Sequence, residues 1–310
     1  ARRVLQALAL LFVVSVVTFA IIHAAPGGPA VLTNPDISKE QAEQMLRNLG
    51  LTDPIPVQFW RWFQNVLRGE FGKSYSQGLP VLPLVLERMP ASVLLAGSAL
   101  GVAVLVAIPL GILSAVRRYS LLDTLAGAVS VFGLSIPVFW FGIMAIILFG
   151  VQLKWLPSGG MYTLGAGFSL ADRLRHLCLP ALVLATISIA QLERYTRSSL
   201  LTELQADYVR TARSRGLAEW RVLGRHALRN ALIPVVTVIG LSFPRLVGFA
   251  AITETVFAWP GMGRLAVDSA FQRDYPVIMG VTLIISAMVI ACNLLTDVMY
   301  GALDPRIKLR

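Results

Sequence analysis

Residues 90–116 read PASVLLAGSALGVAVLVAIPLGILSAV, 27 positions without one charged side chain. A helix rises about 1.5 Å per residue, so about 20 apolar residues cross the hydrocarbon core of a bilayer. This stretch therefore spells a membrane-spanning helix, with one more such stretch before it and four after it. They are Val4–Ala25, Leu125–Leu153, Leu177–Leu192, Ala231–Thr253 and Val277–Ala302. Leu177–Leu192 is the shortest before Glu193 interrupts it, and it needs its polar flanks to complete a crossing. The first stretch follows Arg2-Arg3 and also has the outline of a signal peptide. Its length and the five later spans favour a permanent helix.

Composition agrees. Of 310 residues, 56% are hydrophobic and 14% charged, against about 45–50% and about 25% in soluble domains. Mean hydropathy is +0.70. These values exclude a disulfide scaffold, a disordered chain and an ordinary cytosolic enzyme. Cys178 and Cys292 both lie in apolar runs and read as free thiols. A net charge of +10 on a soluble protein would point to nucleic acid, but here topology explains it. With the N-terminus inside, the inner segments carry +9 and the outer segments +1. The positive-inside rule then places both termini in the cytoplasm. Tyr119, Trp155, Tyr275 and Tyr300 fall at span ends, as interfacial anchors do. The expectation is an all-α polytopic membrane protein of six transmembrane helices, one domain over 1–310, surrounded by lipid and with no nucleic-acid partner.

Two connections are long. The external region 26–89 mixes six basic and six acidic residues around Phe59-Trp60-Arg61-Trp62-Phe63, with breaks at Pro54, Pro56, Gly69, Gly72 and Gly78. It reads either as a lid on the outer helix ends or as a docking surface. Gly97-Ser98-Ala99-Leu100-Gly101 is a small-xxx-small pattern for close helix approach, within the subunit or at a subunit interface.

Several motifs fail on context. Gly72-Lys73-Ser74 lacks the glycine five positions before Gly72 that a P-loop requires, because Leu67 stands there. Gly261-Met262-Gly263-Arg264-Leu265-Ala266 follows a membrane helix rather than a strand, and an apolar span occupies the place of a ribose-binding acid. His23, His176 and His226 have no metal-ligand spacing. No Gly-x-Ser-x-Gly elbow or intramembrane aspartate pair is present. No catalytic, cofactor-binding or metal-ligating residue is therefore assigned.

The inner loop 197–230 is different. Asp207-Tyr208-Val209-Arg210-Thr211-Ala212-Arg213-Ser214-Arg215 reads as a short helix that Asp207 caps. Gly216 stops it at low conformational cost. A second helix, Ala218–Asn230, carries Trp220 among Arg221, Arg225 and Arg229 and runs into the fifth span. A topology-fixing loop needs neither the glycine break nor the tryptophan, so this element reads as a rigid knob for a cytosolic partner.

Asp207–Leu217 and Arg225–Pro234 together resemble the cytoplasmic coupling loop of ATP-binding-cassette (ABC) importer permeases of the oligopeptide/dipeptide/nickel class. Further matches are Arg2-Arg3 with Ala25-Pro26-Gly27, Leu49-Gly50-Leu51, Gly133–Trp140, Trp155–Gly160, Glu254–Gly263, Arg273–Pro276 and Leu303–Arg306. They run in order over essentially the whole chain. Two departures stand out. The broad motif Glu-Ala-Ala-xxx-Gly is met only at Ala212 and Gly216, with Arg210 and Thr211 in its first positions. Arg245 interrupts the fifth span.

The resemblance implies a type I importer permease in a bacterial or archaeal cytoplasmic membrane, forming half of a transport path. It implies a second homologous permease, two ABC ATPases that hold ATP and magnesium, and an external binding protein. It also implies Asp207, Tyr208, Arg210, Ala212, Arg213, Arg215, Gly216 and Trp220 as the ATPase-coupling residues. Arg245, Glu254, Pro260 and Gly261 are the candidate pathway or gate residues. The subclass favours peptide, with a nickel chelate or another small solute as the alternative. A secondary transporter would need more ionisable residues at mid-membrane than Arg245 alone.

Overall fold

The computed structural model describes residues 2–24, 38–48 and 50–303. Ala25-Pro26-Gly27, Leu49 and the basic tail from Asp304 lie outside the described residues. The helices are α1 Arg2–Ala24, α2 Lys39–Asn48, α3 Ile55–Leu67, α4 Val81–Val116, α5 Leu121–Ser135, α6 Val138–Ala145, α7 Leu170–Leu204, α8 Asp207–Ser214, α9 Glu219–Arg221, α10 Leu228–Val256, α11 Met262–Phe271 and α12 Tyr275–Leu303. A π-helical segment, Ile146–Gln152, extends α6, and another, Val222–Ala227, joins α9 to α10. Among the described residues the only strand-like feature is an isolated bridge between Lys73 and Pro80.

Among the described residues five helices are long and apolar enough to cross a membrane, and the pair α5–α6 is a sixth when taken as one bent span. The expected continuous helix Leu125–Leu153 is thus corrected: it breaks by 105° between Ser135 and Val138. Pro137 is the cause. Its ring crowds the preceding residue out of the helical region, and Ile136 sits at φ −81°, ψ 130°.

The fourth span is corrected in the other direction. α7 runs 35 residues and does not stop at Glu193. Glu193 is only 1% exposed, and its Oε2 accepts a 2.9 Å bond from the Ser130 hydroxyl of α5. A buried carboxyl that finds a donor does not end a helix. The second span also starts early, at Val81 rather than Pro90.

The chain divides into two compact units, Ala1–Ser92 with Pro260–Ala291, and Val93–Trp259 with Cys292–Arg310. In the first unit, Val81, Val85, Met262, Leu265, Val277 and Val281 form a core. Gly280 is required there, because a Cβ at that site would lie 2.5 Å from Val81 Cγ1. The Ser92 hydroxyl accepts the Met262 backbone N–H at 2.8 Å, which satisfies one of the free amides at the start of α11. The aromatic patch of α3 packs on α1, with ring centroids 5.3 Å apart for both Phe12–Phe63 and Phe19–Phe59. The His23 ring and the Gln58 side chain meet at 3.3 Å.

In the second unit α7 packs chiefly against α10 and α5. Gly111 of α4 meets α7 so closely that a Cβ would lie 2.7 Å from Thr196 Cβ and 2.8 Å from the Glu193 carbonyl. Gly97 and Gly101, the glycines of the expected packing pattern, are exposed. No atom lies within 4 Å of a Cβ built on Gly101. Cys178 and Cys292 are free thiols, as expected.

Candidate functional site

The loop after α7 forms a compact knob. Val209 and Ala212, on one face of α8, are buried against Leu200, Val222, Ala227 and Ala231. Asp207, Tyr208, Arg210, Arg213, Arg215 and Gly216 lie on the exposed part of the segment. The expected cap by Asp207 is not formed. Ala206 is the N-cap residue, and Asp207 is the first helical residue, 3.7 Å from Arg210 Nη1. Its negative charge in the first turn still complements the helix dipole.

The C-terminal end behaves as expected. Arg215 is the C-cap and Gly216 follows at φ +75°, donating its N–H to the Arg213 carbonyl at 2.9 Å. This left-handed conformation explains the glycine. Nothing lies within 4 Å of a Cβ at Gly216, so conformation rather than space selects it.

Four side-chain hydrogen bonds, centred on Arg213 and Tyr208, lock the knob. Arg213 reaches back across the Gly216 turn to Glu219, with Nη2–Oε1 at 2.6 Å and Nε–Oε2 at 3.2 Å. This bond raises the pKa of a guanidinium that is charged in any case. The Tyr208 hydroxyl donates to Glu203 and accepts from Asn230 Nδ2 at 3.0 Å. Burial and the Glu203 bond push the Tyr208 pKa up, so the phenol stays neutral. Arg213 is thus an internal brace, while Arg210 and Arg215 point to solvent. Trp220 is 71% exposed, with the Arg221 guanidinium 5.0 Å from its ring centre. Sequence reasoning missed Glu203, Glu219 and Asn230; an acid or amide at each edge of a basic loop was the available signal.

Arg245 of α10 donates to Gln191 Oε1 of α7 at 2.9 Å. The pair stands where two cavities of the second unit meet. One, of about 540 Å³, is polar on the α7 side, with Arg194, Tyr195 and Ser198. The other, of about 390 Å³, is lined by Val138, Leu184, Ile187, Phe249 and Ile252. Glu254, Pro260 and Gly261 line neither cavity. Glu254 is fully buried near the end of α10, and its carbonyl accepts the Trp259 N–H at 2.8 Å. Gly261 is the N-cap residue of α11. Among the described residues no group of three or more His, Cys, Asp or Glu side chains is placed to hold a metal.

Long apolar helices joined by a braced polar knob, with a polar and an apolar cavity meeting at Arg245, define a polytopic helical membrane subunit. The chain belongs to the family described as binding-protein-dependent transport system inner membrane component, which matches residues 107–309. The corresponding N-terminal family matches residues 1–96. It is therefore a multi-pass inner-membrane protein.

Among its relatives is the oligopeptide transport system permease protein AppB of Bacillus subtilis (strain 168), 46% identical over 309 residues, 99% of this chain and 98% of the relative. The dipeptide transport system permease protein DppB of Escherichia coli (strain K12) is 39% identical, covering 95% of this chain and 94% of its own length. The fold is that of ABC transporter permeases. An inward-facing structure of the MetNI methionine ABC transporter aligns with a TM-score of 0.56 at 16% identity, over 72% of this chain and 97% of its own. An amino acid ABC transporter with histidines gives 0.55 at 15%, over 71% and 94%.

Proposed function

We propose that this chain is the permease subunit of an ATP-driven peptide importer and forms half of the translocation path. A second homologous permease completes the path, and an external binding protein delivers the substrate. Two cytosolic ATPases hold ATP and magnesium, and the chain itself binds no cofactor and catalyses no reaction. Relatives named as peptide permeases over nearly full length support the substrate class.

The observation that carries the mechanical reading is the knob itself. α8 is anchored by Val209 and Ala212 and braced across the Gly216 turn by Arg213–Glu219, and from Glu219 the chain runs as one continuous helix through α9, the π-helical segment and α10 to Val256. A displacement applied to the exposed residues Asp207, Tyr208, Arg210, Arg215 and Gly216 passes to α10 as a rigid body rather than being lost in a flexible loop. α10 carries Arg245, which offers a guanidinium to a peptide carboxylate at the join of a polar and an apolar cavity. Glu254 acts in this reading as a gate residue at the far end of α10, and Pro260 and Gly261 as gate residues at the start of α11. The substrate biases the path only as far as its affinity differs between the inward and outward states.

The test is Gly216→Val in the assembled importer. A β-branched residue is strongly disfavoured at positive φ, and no neighbour is displaced, so membrane insertion should persist. Peptide uptake into liposomes should collapse, with substrate-stimulated ATP hydrolysis falling or uncoupling from it. Wild-type uptake at normal ATP stoichiometry would overturn the coupling role.

A further inference from the structure

Arg221, Arg225 and Arg229 follow one another at intervals of four residues through the π-helical segment and into α10. All three are exposed. With Trp220 and Gly224 they line a surface cavity of about 680 Å³. Val222 and Ala227, in the same stretch, are buried against α8, so the arginines lie on the side away from it. Among the described residues none of the three has a carboxylate within ion-pair distance, whereas Arg213 and Arg197 both do. Like charges four apart on a helix repel one another, and no acid among the described residues forms an ion pair that relieves them.

We infer that this groove binds the phosphate of an anionic phospholipid at the membrane surface. Charge alone would fit any anion, and position selects the lipid. Arg229 lies two residues before the apolar stretch that opens at Ala231, so the arginine row descends to the headgroup level of the bilayer. A basic patch flanking a span attracts anionic headgroups. Trp220 supplies the amphipathic ring that settles at this interface. Gly224 leaves the groove open, with nothing within 4 Å of a built Cβ. Guanidinium groups suit the task because each presents paired N–H donors to phosphate oxygens. Trp220, which the resemblance places in the coupling set, also lines this groove. The inference holds whichever leaflet the knob faces.

The experiment places a benzophenone side chain at the groove (Gly224→p-benzoylphenylalanine) in the complete importer. The complex is reconstituted in phosphatidylcholine vesicles with or without phosphatidylglycerol and then irradiated. The expected result is a phosphatidylglycerol adduct that inorganic phosphate does not compete away. Arg221/Arg225/Arg229→Gln should weaken phosphatidylglycerol retention roughly a hundredfold, given the attraction of each basic residue for an anionic surface. Arg221/Arg225/Arg229→Lys keeps the charge and should retain most of it, separating lost binding from misfolding. An adduct confined to an ATPase subunit would make the groove a protein contact. Equal labelling of the two lipids, or loss of the adduct with inorganic phosphate, would show no recognition of an anionic lipid. Each of these outcomes overturns the inference.

Discussion

Asp274 shows how much one residue can hold. It is 1% exposed and accepts from the Ser74 hydroxyl at 2.5 Å, the Tyr75 and Ser76 amides at 3.1 Å each, and the Ser76 hydroxyl at 2.9 Å. One carboxylate thereby ties the connection before α4 to the start of α12. The segment Arg273–Pro276 was legible as a family motif, but its role was not, because the partners lie about 200 positions away. Gly72-Lys73-Ser74, rejected as a phosphate loop, proves to lead into this clamp. Burial first, then the Asp274 charge, pushes the Tyr75 pKa up to about 12. A phenol raised above its unfolded value of about 10 contributes stability that is complete below pH 10 and lost as pH climbs toward 12. Asp274→Asn should cost about 1.5–3 kcal/mol, the range for hydrogen bonds to a charged group. It should also lower the Tyr75 pKa part of the way toward 10, because burial persists. Thermal unfolding and ultraviolet titration of the tyrosines read the two effects. An unchanged melting temperature would show that the clamp carries no load.

At the level of elements, apolar run length located the spans well and said little about their continuity. The run Leu125–Leu153 looked uniform, yet Pro137 turns it, because the restriction acts on the backbone of Ile136 and not on hydropathy. Glu193 looked like a terminus, yet Ser130 meets it, a pairing that no pattern within α7 announces. Packing glycines make a related point. The small-xxx-small spacing at Gly97 and Gly101 was visible, and both face outward from this chain, whereas the glycine of α4 that α7 requires, Gly111, is revealed only by its partner helix. A contrast within α4 follows. Gly111→Ala drives a methyl into Thr196 and the Glu193 carbonyl, and overpacking of this kind costs about 1–3 kcal/mol. Gly101→Ala meets open space and should stay within about 0.5 kcal/mol of the parent. Unfolding of the two variants in the same detergent measures the difference. Equal stabilities would mean that α4 and α7 separate easily enough to absorb a methyl group.

For the whole molecule, the membrane class was legible from composition alone, and the short helix with its glycine break from Asp207–Gly216. The braces inside the knob and the cavity beside Arg245 were not, since both depend on side chains from separate helices. Orientation rests on charge. Inner segments carry +9 and outer segments +1 under the proposed topology. Translocating a flanking arginine is unfavourable, so the asymmetry leads us to propose that residues 197–230 and both termini lie in the cytoplasm. Gln77 and Ser214 test this cleanly because both are exposed in the folded chain. Their labelling therefore depends on the side of the membrane rather than on burial. Gln77→Cys and Ser214→Cys are made singly in a background without Cys178 and Cys292, both free thiols. An impermeant maleimide applied to intact cells should modify position 77 and spare 214, and opening the cells should expose 214. The reverse pattern would place the knob outside, out of reach of a cytosolic ATPase, and the proposed mechanism would fall with it.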